Sequence, residues 1–151
     1  MRIFFDTEFM EDGRTIELLS IGMVREDGAD LYLEADWADY DHANPWVRTN
    51  VLPRLDRQRY GVDRETMRAK ILDFAGPRPE FWAYYGAYDW VVLCQLFGAM
   101  VDLPETWPMW CHDLKQLVEW QGNPPLDKTD ITHNALDDAR WVRRQHELLT
   151  R

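Results

Sequence analysis

Apolar residues in the first third of the chain fall in short runs separated by tight polar turns. Arg2 to Asp6, with Ile3-Phe4-Phe5 at its centre, predicts a buried strand. Glu11-Asp12-Gly13 is a turn signal, and Thr15 to Arg25 follows as a second strand. Glu26-Asp27-Gly28 turns again into a third, Ala29 to Glu34. Three strands joined by two tight turns predict an antiparallel meander. Residues 37–59 then read as irregular or short-helical, interrupted by Pro45 and Pro53. Arg64 to Phe74 fits an amphipathic helix capped by Asp63. Phe81 to Tyr85 is a short apolar strand, and Asp89 to Phe97 a helix closed by Gly98. Met109 to Cys111 predicts another strand. A helix capped by Asp113 runs from there to about Trp120. Gln121 to Thr132, with Gly122, Pro124 and Pro125, is the longest loop. Asn134 caps a last helix whose apolar stripe is Leu136, Ala139, Trp141, Val142 and Leu149. A meander followed by alternating helices and parallel strands predicts an α/β fold: a mixed sheet with helices on its faces. No repeat or linker divides it, so residues 1–151 read as one domain.

Composition narrows the function. No run of about 18 apolar residues exists, so no membrane span is expected. Asp6 interrupts the N-terminal apolar run too early for a signal peptide. Cys94 and Cys111 lack metal-site spacing and read as reduced, buried thiols of a cytoplasmic protein. The formal net charge of -10 argues against a passive nucleic-acid binder, which would present a basic face. It suits an enzyme whose carboxylates hold divalent cations, because the metals then supply the positive charge phosphates need. Basic residues cluster at Arg54, Arg57, Arg59, Arg64, Arg68 and Lys70, and again at Arg140, Arg143 and Arg144. A solvated helix face explains such runs better than a phosphate track does.

Acids stand at element ends in three places. Asp6 and Glu8, two apart in a strand, share a face about 6–7 Å from each other. Asp89 lies in the first turn of a helix, where a plain cap and a metal ligand are both open readings. Asp138 lies in the last helix, five residues after His133, which stands just outside that helix and can fold back over it. A histidine beside a carboxylate cluster suits a general base next to bound metal. Oxygen donors of this kind favour Mg²⁺, with Mn²⁺ as a substitute.

Phe5-Asp6-Thr7-Glu8-Phe9, Gly86-Ala87-Tyr88-Asp89 and His133-Asn134-Ala135-Leu136-Asp137-Asp138 together resemble the three motifs of the DEDDh 3′-to-5′ exonucleases. That superfamily includes ribonuclease T, oligoribonuclease and the proofreading subunit of DNA polymerase III, on a ribonuclease H-like fold. The resemblance spans nearly the whole chain. It implies two Mg²⁺ ions held by Asp6, Glu8, Asp89 and Asp138, and His133 as the base that takes a proton from the attacking water. It implies nucleotide contacts from Glu8, Phe9, Met10, Tyr85 and His133. The substrate would be single-stranded RNA or a 3′ overhang, and the product nucleoside 5′-monophosphates. The small size is that of stand-alone bacterial exoribonucleases, and ribonuclease T suggests a homodimer. One position departs from the pattern: many relatives carry asparagine where this chain has Tyr85. A non-catalytic binding module and a ribonuclease H-type endonuclease are the alternatives.

The aromatic residues divide. Trp82, Trp90 and Trp141 read as core, while Tyr85 and Tyr88 flank the expected site. Trp107-Pro108-Met109-Trp110 reads as a surface loop or an oligomer contact. His112-Asp113 reads as a helix entry rather than a second catalytic pair.

Overall fold

The computed structural model describes residues 1–127 and 132–151. Its first strand, β1 (Arg2–Glu11), is central to a six-stranded sheet. Antiparallel to it runs β2 (Ile16–Arg25), followed by β3 (Asp30–Ala35). This is the expected meander. On the other side of β1 lie β5 (Glu80–Ala83) and β6 (His112–Asp113), both parallel. β4 (Gly61–Val62) pairs parallel with β3 and completes the order β4-β3-β2-β1-β5-β6. The mixed sheet with helices on both faces is a ribonuclease H-like α/β fold.

Strand alternation sorts the core into two layers. Ile3, Phe5, Ile21, Met23 and Leu33 face one way, in one cluster with Met67 and Ile71 of α3 (Arg64–Ala75) and Leu93 of α4 (Ala87–Gln95). Phe4 faces the other way, against Leu114 of α5 (Leu114–Trp120) and Trp141 and Val142 of α6 (Ala135–Leu149). Asp63, Asp113 and Asn134 cap their helices as expected, each side chain accepting a backbone N–H of the first turn. The segment after β3 is short-helical, with α1 (Pro45–Asn50) and α2 (Arg57–Tyr60).

Several boundaries differ from expectation, and each has a physical cause. β1 continues five residues past Asp6, because the polar stretch keeps a strand partner in β2 as far as Glu11. The strand expected at Met109 to Cys111 instead forms at His112–Asp113, which pair with Trp82 and Ala83. Its two-residue length leaves no periodic signal. α4 starts at Ala87, capped by Gly86, and ends at Gln95 rather than Phe97. Trp90 and Trp141 are buried, whereas Trp82 is only half-buried. In the Trp107–Trp110 segment, Trp107 is core and Trp110 exposed. Cys94 is buried and Cys111 only partly so. The expected loop at Gln121 to Thr132 includes residues 128–131, which lie outside the described residues.

α6 approaches the sheet over Gly22, the partner of Asp6 across β1 and β2. A Cβ on Gly22 would stand 2.3 Å from the carbonyl carbon of Ala135 and the nitrogen of Leu136. Both are backbone atoms that no rotamer change can move. Gly22→Ala is therefore expected to destabilise the protein by about 1–3 kcal/mol, the usual cost of overpacking. It should also displace Asp138 from Asp6. Urea unfolding of the variant checks the first effect, and cation binding the second.

Candidate active site

Asp6 and Glu8 share the α6-facing side of β1 ahead of a β-bulge between Glu8 and Phe9. Asp138 enters from the first turn of α6. One carboxylate oxygen from each of these three residues lies within 4.8 Å of the other two. Asp89 stands beside this cluster on α4. It is not the helix cap: its Oδ1 accepts the Thr7 backbone N–H at 2.9 Å and the Thr7 hydroxyl at 2.5 Å. These bonds tie α4 to β1 just past Phe4, the last residue of β1 that pairs with β5. Asp137 faces away and pairs with Arg140 at 3.0 Å.

Crowded buried acids resist ionisation. Burial, then the charges of Asp89, Glu8 and Asp138, pushes the Asp6 carboxyl well above the usual range. Glu8 is pushed up to about 8, first by burial and then by Asp138 and Asp89; Arg54 opposes this. Burial raises Asp89 to about 6 despite its bonds from Thr7. Burial raises Asp138 too, against bonds from Thr132 and the charge of His133.

A stability prediction follows for the metal-free protein. Raised native pKa values mean that the folded state holds these protons more tightly than the unfolded chain does. Their stabilising contribution is complete below the unfolded carboxyl values and is lost as pH rises through the native ones. For Glu8 that window runs from 4.5 to about 8. In EDTA the Tm should fall across it, and Glu8→Gln should flatten the fall. A wild-type Tm that rises from pH 5 to 8 would contradict this electrostatic picture.

His133 lies outside α6, as expected, with its backbone at a positive φ of 50°. Its ring meets Trp46 of α1 edge-on, with centroids 5.0 Å apart. Phe9 follows the bulge and packs against Tyr88 at 5.7 Å, whereas Met10 is buried in the core. Tyr85 is exposed at the end of β5.

Five further contributors have no role that the sequence alone assigns. Thr7 holds Asp89. The Thr132 hydroxyl donates to Asp138 at 3.3 Å and accepts the Asn134 N–H. Trp46 backs His133, and Arg54 sets its charge near Glu8. Glu34, fully buried, accepts the Tyr32 hydroxyl and the Asp56 N–H, each at 2.9 Å, anchoring to β3 the segment that carries Trp46 and Arg54. Only the Asn44-Pro45 helix start hinted at α1, and nothing linked it to the acids.

The 3′-5′ exoribonuclease Rv2179c-like domain model matches residues 1–149. The chain belongs to that family. It is 44% identical over 158 aligned positions to the 3′-5′ exoribonuclease Rv2179c of Mycobacterium tuberculosis strain H37Rv, covering 99% of this chain and 94% of the relative. The protein called MT2234.1 in strain CDC 1551 matches equally. Among solved structures, apo Exonuclease I superposes with a TM-score of 0.70 at 15% identity. That match covers 98% of this chain but only 41% of Exonuclease I. E. coli Exonuclease I in complex with a dT13 oligonucleotide gives 0.67 at 14% identity, covering 98% of this chain and 40% of that one. These neighbours share the ribonuclease H-like fold, and the family makes the chain a 3′-to-5′ exonuclease. Among the described residues, no helix of this exonuclease is long and apolar enough to cross a membrane.

Proposed function

We propose that the protein is a metal-dependent exoribonuclease that removes nucleoside 5′-monophosphates from the 3′ end of single-stranded RNA or a 3′ overhang. The observation that carries this reading is the meeting of Asp6, Glu8 and Asp138 within 4.8 Å, with Asp89 alongside. The donors are all carboxylate oxygens, the set a hard divalent cation takes. Burial first, and then mutual repulsion, raises the pKa values of Asp6 and Glu8, and bound cations would relieve the repulsion. Asp6, Glu8, Asp89 and Asp138 would hold two Mg²⁺, with Mn²⁺ as substitute. Held there, such cations would supply charge stabilisation to the attacking and leaving oxygens of a phosphodiester.

The chain's own side chains do the rest. His133, held from behind by Trp46, takes the proton from the attacking water. Thr132 orients Asp138, and Thr7 fixes Asp89 so that its carboxylate faces β1. Glu8, Phe9 and Tyr85 contact the terminal nucleotides, and Met10, buried in the core, supports this end of β1. Arg54 brings positive charge to the phosphate path, which the net charge of -10 otherwise disfavours. The RNA preference rests on the mycobacterial relatives, which are exoribonucleases by name. We further propose that residues 1–151 work as a single domain, and that the protein is cytoplasmic, in keeping with its two free cysteines.

Digestion of end-labelled RNA, DNA and an overhanging RNA duplex, each in Mg²⁺ or EDTA, tests the reading. Mononucleotides should appear from RNA in Mg²⁺ and vanish in EDTA. A 3′-phosphate should block release, while a blocked 5′ end should have no effect. Cleavage of circular RNA would favour the endonuclease alternative, and RNA binding without release the binding module.

A further inference from the structure

We propose that Glu34 is a positioning residue for the reaction: buried in the sheet, it holds Arg54 where an RNA phosphate meets the carboxylate cluster. This rests on the exonuclease reading above and adds to it a residue that sets substrate affinity from outside the site.

Glu8, Ser20 and Glu34 form one cross-strand row over β1, β2 and β3. Directly opposed residues share a face of the sheet. Neighbouring strands lie about 4.8 Å apart, so Glu34 stands about 10 Å from Glu8 on the same side. Ser20 and Glu34 are fully buried. A buried acid is costly, and an apolar side chain of similar volume in its place is often no less stable. The cost is visible here, since Oε2 of Glu34 is buried without a hydrogen-bond partner among the described residues. Packing alone gives no reason for an acid at this position.

The reason lies in what its other oxygen holds. Oε1 accepts the Tyr32 hydroxyl and the Asp56 N–H, each at 2.9 Å. Tyr32 is two residues away on the same strand and aims the carboxylate. Asp56 is 22 residues away, and only Leu55 separates it from Arg54. Arg54 ends a tight 3₁₀ turn, Leu52–Arg54, that contains Pro53 and is closed by the Leu55 N–H on the Leu52 carbonyl at 3.2 Å. On its other side Asp56 caps α2, accepting the Arg59 N–H at 3.2 Å. The Asp56 N–H is therefore a fixed point between two turns, and Glu34 ties that point to the sheet.

Arg54 is exposed, and its Nε donates to the Asn50 carbonyl at 3.2 Å, a backbone partner that leaves its charge in place. That charge reaches Glu8 and opposes the rise of its pKa. A guanidinium beside carboxylates that hold cations would repel the cations rather than help to bind them. Its use there is on phosphate oxygens, which it takes through paired N–H groups. In a chain of net charge -10, affinity for RNA depends on each guanidinium brought up to the site.

A double-mutant cycle at positions 34 and 54 tests this, using steady-state kinetics on an RNA pentamer in Mg²⁺ with the Tm of each variant measured. Arg54→Ala should raise KM about tenfold, the order of one hydrogen-bonded contact to a charged group. Glu34→Leu keeps the bulk and removes the acceptor. It should raise KM similarly when Arg54 is present and not at all in the Arg54→Ala protein. In both single variants the slope of log KM against log salt should become shallower by about 0.7, the share of one phosphate contact on a single strand. Glu34→Gln keeps the accepting oxygen and should restore KM and slope. Glu34→Asp, too short to reach both donors, gives the same comparison should the leucine variant not fold. Loss of stability alone reduces the active fraction and lowers apparent kcat at unchanged KM. That outcome in Glu34→Leu and Glu34→Asp would overturn the proposal. A rise in KM that persists in the Arg54→Ala protein, or a wild-type KM in Arg54→Ala itself, would overturn it too. In each of these cases the exonuclease reading stands. No mononucleotide from the wild-type protein in Mg²⁺ would overturn that reading, and the role of Glu34 with it.

Discussion

Asp6→Asn is expected to abolish RNA turnover, by about a thousandfold or more, while raising the Tm in metal-free buffer. The two effects have one cause. Asp6 resists ionisation, held up first by burial and then by the charges of Asp89, Glu8 and Asp138. Such repulsion lowers the stability of the empty site and raises its affinity for cations. The amide keeps the shape of the carboxylate but removes its charge, so the repulsion falls and a ligand is lost. Metal ions contribute several kcal/mol of transition-state stabilisation, and each 1.4 kcal/mol is about tenfold in rate. The measurement is mononucleotide release in Mg²⁺ alongside thermal melts in EDTA. A variant that is both inactive and less stable would point to a folding role for Asp6. An active variant would remove it from the metal set.

His133→Ala is expected to lower kcat by about 10²–10⁴, the usual contribution of a general base. KM and cation binding should change little, because His133 stands outside α6 and packs on Trp46 rather than on the core. Trp46→Ala should produce a smaller loss of kcat, since it removes support for the ring and not the base. Near-wild-type kcat in His133→Ala would mean that another group accepts the proton.

The sequence made the chemistry more legible than the architecture around it. Asp6 and Glu8 could be placed on one face because a strand has period two, and their cross-strand row through Gly22 and Ser20 bears that out. Asn134 marked the start of α6 and so put His133 outside it. Long-range geometry left no local trace. The bonds from Thr7 that turn Asp89 away from a capping role join residues 82 apart in sequence. Asp113 read correctly as a helix cap, since it accepts the Lys115 N–H at 2.8 Å. Its other role, clamping the Tyr85 turn across 28 residues, exists only once β5 and β6 pair. β4 and β6, each two residues long, are defined by their neighbours rather than by their own pattern. Glu34 marks only a strand end in the sequence, yet it is fully buried and accepts the Asp56 N–H at the start of α2.

The central claim is that the carboxylate cluster binds the cations that drive cleavage. Mn²⁺ titration followed by electron paramagnetic resonance, with a nucleoside 5′-monophosphate present, tests it most directly. The account predicts two bound Mn²⁺ per wild-type chain and loss of tight binding in Asp6→Asn. Wild-type protein that binds no Mn²⁺, or Asp6→Asn that binds it as tightly and in the same number, would contradict it.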